Sequence, residues 1–183
     1  MGHRVLVVCG GNTCRSPVLA LLLLREMHRA GHGDVEIVSA GSSEHFSMHP
    51  RYAGPLNQFA VEALRETLDP VIDVHADEIV GIARAHWSHG LSCFSSQRFD
   101  LIVFLDRRYE SKPAKWGIVT RTTHTRRIKD QAYRVWRDAG KPRSLEEDHR
   151  DGEILRAYRR QTALLAQYAK YLVSHVISPL ASE

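Results

Sequence analysis

Nine consecutive residues constrain this chain more than any others: Cys9-Gly10-Gly11-Asn12-Thr13-Cys14-Arg15-Ser16-Pro17. They come directly after a short apolar run, Val5-Leu6-Val7-Val8, and precede a Leu-rich segment with helical character that starts near Val18. A strand, a tight loop and a helix start, in that order, gather free backbone N–H groups around one point. The positive end of the helix dipole stands behind them, so the loop is suited to hold an anion.

Cys9 makes such a loop reactive as well as adhesive. The thiolate is the nucleophilic form of cysteine, and helix N-termini and neighbouring Arg residues favour it. Arg15 carries a planar guanidinium that can grip two oxygens of one phosphoryl group. Ser16 is placed to hydrogen-bond the Cys9 sulfur and to stabilise it as a leaving group. Gly10 and Gly11 let the backbone approach a ligand, and Asn12 tolerates the left-handed dihedrals that a closed cradle needs. Pro17 suits a first helical turn, where its missing N–H costs nothing. A plain strand-to-helix turn with two inert cysteines would not require this register of Cys, Asn, Arg and Ser.

On these residues the chain resembles the low-molecular-weight protein tyrosine phosphatase family, whose members open with this loop. The resemblance implies an α/β fold: three layers, α/β/α, around a central, mostly parallel four-stranded sheet with an N-terminal Cys-x5-Arg phosphate loop. It also implies metal-independent hydrolysis of phosphomonoesters through a phosphocysteine, with no cofactor. Cys9 and Arg15 would be catalytic, and Gly10, Gly11, Asn12, Thr13, Cys14 and Ser16 would bind substrate. The substrate expected first is phosphotyrosine on a protein. Thr13 keeps phosphoarginine open, because Thr at this place is associated with arginine-directed members. Thiol-coupled arsenate reduction ranks lower, since it needs a downstream pair of cysteines and only Cys93 is available. A non-catalytic phosphate-binding adaptor ranks lower too, because binding alone does not require Cys9. Cys14 is placed for a protective reversible disulfide with Cys9.

The length of 183 residues and a hydrophobic content of 43% fit one domain over 1–183. The formal charge of +4 suits anionic partners. Arg107, Arg108, Arg121, Arg126, Arg127 and Lys129 are scattered and form no nucleic-acid module, so no nucleic-acid partner is expected. Arg25, Glu26 and His28 close the apolar stretch Val18 to Leu24, which speaks against a membrane segment. Met1-Gly2-His3-Arg4 shows no signal-peptide pattern, and Leu6 does not fit a myristoylation signal. Two of three cysteines lie in the reactive loop, so a reducing cytoplasm is the expected compartment. His45 and His49 have i, i+4 spacing, but Gly41-Ser42-Ser43 and Pro50 mark loop, and surface histidines are expected there rather than a metal site.

Further along, a helix to about Ala30 ends at Gly31 and Gly33, and Val35-Glu36-Ile37-Val38 forms the next strand. Ser39-Ala40-Gly41-Ser42 resembles a family turn that buttresses the phosphate loop. A second helix begins at Phe59, and 69–85 reads as an insertion. His86 then matches the family's His-x-Ser segment as a structural hydrogen-bond partner. Phe99 to Asp106 is a buried parallel strand, with Asp106 either a cap or a supporting group behind the site. Glu110 to Gln131 reads as loop plus a short helix, Tyr133-Arg134-Val135-Trp136 as the last strand, and Ile154 to Val176 as a long amphipathic helix.

The leaving oxygen needs a proton donor. The family supplies an Asp in an Asp-Pro loop before the final helix, and the only Asp-Pro here, Asp69-Pro70, lies too early. Asp148 is the expected acid, ten residues before Tyr158, with Asp151 and Asp138 as alternatives.

Overall fold

The structure is a computed structural model and describes residues 2–42, 54–69, 73, 75–142, 145–147 and 152–181. Four parallel strands form one sheet in the order β2-β1-β3-β4, with β1 Arg4–Cys9, β2 Glu36–Gly41, β3 Arg98–Phe104 and β4 Val119–Thr125. β1 lies between β2 and β3, so Val5, Val7 and Cys9 bury on one face and Leu6 and Val8 on the other. A central parallel strand has no wet face, which explains its continuous apolar run. The chain moves to one side after β1 and to the other after β2, which opens a crevice at the C-terminal end of β1.

The longer helices are α1 Arg15–Arg29, α2 Gln58–Thr67, α3 Ala76–Ala85, α4 Gln131–Asp138 and α5 Glu153–Leu172, the last continued by a π turn at Val173–Ile177 and a short helical turn at Ser178–Ala181. Side chains from all five join one core cluster with Val5 and Val7. Its largest buried members include Tyr158 and Tyr168 of α5, Phe59 of α2, and Leu19, Leu22 and Leu23 of α1. Single 3₁₀ turns at Leu91–Phe94 and Pro113–Trp116 cover the opposite face over Leu6, Val8, Phe99, Ile102 and Phe104. The two helical layers are therefore unequal. α1 stops where expected: Gly31 has φ 74°, and its N–H reaches the His28 carbonyl at 3.1 Å. The stretch expected as an insertion, 69–85, carries α3.

Two expectations are corrected. Tyr133-Arg134-Val135-Trp136 lies inside α4, and the last strand is Val119–Thr125, where loop and a short helix are expected. β4 is an edge strand whose residues are exposed or half-buried. It needs no apolar run, only the β-branched Val119, Thr120, Thr122, Thr123 and Thr125 that favour extended backbone. Asp106 accepts the Arg108 backbone N–H at 3.1 Å as N-cap of the turn Arg107–Tyr109. Its carboxylate also pairs with the Arg108 guanidinium at 3.0 Å, which with burial opposing holds its pKa below the usual range.

Candidate active site

The stretch Cys9 to Ser16 bridges β1 and α1, as its sequence requires. Cys14 is the N-cap of α1, and its side chain makes no capping hydrogen bond to the first N–H groups of that helix. Those donors are left for a ligand. The Cys9 sulfur is buried, 3.0 Å from the Ser16 hydroxyl, and accepts the Asn12 backbone N–H at 3.3 Å. Gly10 has a definite steric reason: a Cβ there would stand 3.0 Å from the Tyr109 hydroxyl.

Asn12 holds the loop closed. It is fully buried with φ 50°, in the left-handed region anticipated for it. Its amide donates to Ser16 Oγ at 3.0 Å and to Ser39 Oγ at 2.8 Å, and its oxygen accepts the His89 N–H at 2.8 Å. The Asn12 carbonyl meets His86 Nε2 at 2.9 Å. Burial pushes the His86 pKa down, against the raising effect of that bond, so the imidazole is a neutral donor here. Ser39, Ala40 and Gly41, expected as a turn, are the last residues of β2 and pair with Val7, Val8 and Cys9; the buttress they give the loop comes from strand pairing and the Ser39 hydroxyl.

Arg15 is buried, and its Nη1 donates to the Ile128 carbonyl at 2.9 Å. Its Nη2 pairs with Asp130 at 2.8 Å, while Nε is buried with no partner among the described residues. Burial alone would lower the Arg15 pKa, but the negative charges that Cys9 and Asp130 can carry, together with the Tyr109 hydroxyl, raise it. Nη2 and the unpartnered Nε form one edge of the guanidinium, the edge suited to two phosphate oxygens.

Asp130 is a site carboxylate that no pattern in the sequence announces. It is the N-cap of α4, and its Oδ1 is buried without a partner among the described residues. Burial pushes its pKa up, and Arg15 only partly opposes this. Asp148 and Asp151 lie outside the described residues, as do His45 and His49. Asp138 is exposed at the C-terminal end of α4 and pairs with Arg137 at 2.9 Å. Asp69 is described but Pro70 is not. Thr13 lines a cavity of about 480 Å³ with Asn57, Phe59, Tyr133, Trp136 and Tyr158. Cys14 is buried, and Gln161 Nε2 donates to its sulfur at 3.0 Å. Burial pushes the Cys14 thiol well up, so it is protonated at neutral pH.

The sheet, the crevice and a cysteine cradled at a helix N-terminus define a class of α/β phosphate-loop proteins with a nucleophilic thiol. Over residues 4–173 the chain matches the family model described as low molecular weight phosphotyrosine protein phosphatase, and it belongs to that family. Among solved structures, a low molecular weight protein tyrosine phosphatase from T. tengcongensis is 21% identical, with a TM-score of 0.57 over 95% of this chain and 99% of that one. YwlE from Bacillus subtilis, crystallised as a mutant, is 20% identical, with a TM-score of 0.57 over 95% of this chain and 98% of that one. An arsenate reductase in its phosphate-binding state is 16% identical, with a TM-score of 0.55 over 95% of this chain and 98% of that one. At these identities the likeness is one of fold. No curated protein sequence matches the chain. No helix among the described residues is long and apolar enough to cross a membrane.

Proposed function

We propose that this protein hydrolyses phosphomonoesters through a phosphocysteine on Cys9, with phosphotyrosine on proteins as its first substrate class. The observation that carries this reading is the Cys9 sulfur held by Ser16 and Asn12, together with a buried Arg15 that feels the Cys9 charge and keeps its Nε without a partner among the described residues. A phosphate dianion would take Nη2 from Asp130 and fill Nε, with loop and helix N–H groups on its remaining oxygens. The arriving dianion raises the Asp130 pKa further, because Arg15 is drawn away and a like charge is added. Asp130 thereby enters the reaction protonated.

The Cys9 thiolate then attacks phosphorus and forms the S–P bond as the P–O bond to the leaving group breaks. Asp130 gives its proton to that oxygen. In the second half a water attacks phosphorus, the Asp130 carboxylate accepts its proton, and the S–P electron pair returns to sulfur. Ser16 stabilises the departing thiolate, and inorganic phosphate leaves.

Tyr133 and Trp136, with ring centroids 5.5 Å apart, line the cavity beside Thr13 and give an aryl group an apolar wall. Phosphoarginine is the second reading. It rests on Thr13 and on the fold shared with YwlE, described in another structure as an arginine phosphatase, at 21% identity and a TM-score of 0.50.

Turnover of p-nitrophenyl phosphate without added metal is expected. Cys9→Ser should abolish it while vanadate still binds; appreciable turnover by that variant refutes Cys9 as nucleophile. Matched phosphotyrosine and phosphoarginine peptides then decide the substrate. For the acid, Asp130→Asn should cost roughly 10²–10⁴-fold with poor leaving groups and little with activated aryl phosphates. If Asp148→Asn shows that dependence instead, the acid lies on the segment before α5.

A further inference from the structure

Behind the phosphate loop, on the far side of Gln161 from Cys14, a second cavity of about 400 Å³ opens between α4 and α5. Three cations line it: Lys129 next to Asp130, Arg134 on α4 and Arg160 on α5. All three are exposed, and no ion pair among the described residues takes up their side chains. Like charges converging on one concavity repel, and an anion between them removes that cost.

Gln161 is the independent sign that something binds. It is 5% exposed, it lines the same cavity, and its Oε1 is buried with no partner among the described residues. Leaving a buried amide half-satisfied costs free energy that an unused surface groove would not justify. The protonated Cys14 thiol supplies the missing piece. It can donate S–H to the amide oxygen if the amide turns by half a revolution, and Nε2 then becomes the amide's unpartnered donor.

We propose that this cavity is a second anion site that takes a phosphoryl or carboxylate group beside the one being hydrolysed. The anion has two possible sources: an acidic group on the substrate, or a free inorganic ion. The inference builds on the phosphatase reading but is tested apart from it.

In the first arm, two phosphopeptides differing only in acidic or neutral residues around the phosphoresidue are compared at low salt. Wild type should prefer the acidic peptide. Arg160→Gln and Lys129→Gln should each reduce that preference by up to about fivefold, the upper range for an exposed charge pair. Their p-nitrophenyl phosphate turnover should stay unchanged, and added salt should erase the preference. In the second arm, inorganic phosphate is titrated into vanadate-saturated protein while the Gln161 side-chain amide is followed by NMR. A saturable shift that is weakened in Arg160→Gln identifies a free-ion site. A peptide preference alone identifies a substrate subsite. An unshifted Gln161 amide together with equal peptide preference in all variants overturns the proposal, whatever the fate of Cys9.

Discussion

Replacing Asn12 by Ala would test whether the loop is held by one buried amide. The side chain makes three hydrogen bonds, to Ser16, Ser39 and the His89 N–H, each of 3.0 Å or less. At about 1 kcal/mol apiece these contribute about 3 kcal/mol. Ala at φ 50° adds roughly 1 kcal/mol of backbone strain. A total near 4 kcal/mol in a chain of this length lowers Tm by about 8–16 °C. Urea unfolding should show an earlier midpoint at constant slope. Asn12→Gly separates the two contributions, because glycine accepts the left-handed backbone; it should be about 1 kcal/mol milder than Asn12→Ala. Both variants should also lose p-nitrophenyl phosphate turnover, since Ser16 and the Asn12 N–H are no longer fixed on the Cys9 sulfur. A loss below about 1 kcal/mol in Asn12→Ala would refute the reasoning, for it would mean that the His89 N–H and Ser39 find other partners at no cost.

Arg15→Lys should lose vanadate affinity and turnover together, because an ammonium cannot serve the Ile128 carbonyl and two phosphate oxygens at once; unchanged kinetics would remove Arg15 from the site. The depressed His86 pKa means that the unfolded chain binds this proton more tightly than the folded one. Stability should therefore fall as pH drops below about 6.5, the unfolded histidine value, and His86→Gln should flatten that part of a pH–Tm profile.

The readable parts of this molecule are those where one residue type has one physical use. Val5 to Val8 announce a strand buried on both faces, and Cys9, Asn12, Arg15 and Ser16 announce the loop, because no structural role alone selects that set. β4 is hidden because an edge strand can be polar: its Thr residues pair with β3 and otherwise meet solvent. α4 imitates a strand because Tyr133, Val135 and Trp136 come close to strand alternation, while they serve a helix of only eight residues. Arg15 and Asp130, 115 positions apart in sequence and 2.8 Å apart in space, are joined by folding, and no local pattern marks such a pair. Tyr109 is the same kind of residue: nothing near it in sequence places its hydroxyl against Gly10.

Asp130 is also concealed by its neighbour Gln131, and that neighbour has a physical consequence. An Asp-Pro pair would be expected to open the acid loop, but Gln131 occupies the first helical position of α4. Pro is welcome at that position in general, since no intrahelical bond is lost there. Here it would meet an obstacle one residue earlier. Asp130 sits at φ −86° and ψ 60°, the dihedrals of an inverse γ-turn. Such a turn closes when the next N–H reaches back to the preceding carbonyl, and Pro has no N–H to offer. Pro also drives its predecessor toward ψ of about 120–160°, which would swing the Asp130 carboxylate relative to Arg15. Gln131→Pro should therefore cost more than about 1 kcal/mol of stability, because it displaces a backbone the chain already holds, and it should weaken the Arg15–Asp130 pair. The variant should lose rate mainly with poor leaving groups, in the manner of Asp130→Asn but less completely. Wild-type leaving-group dependence in Gln131→Pro would show that the acid tolerates either backbone, and that Gln131 is a neutral replacement rather than part of how this chain sets its acid.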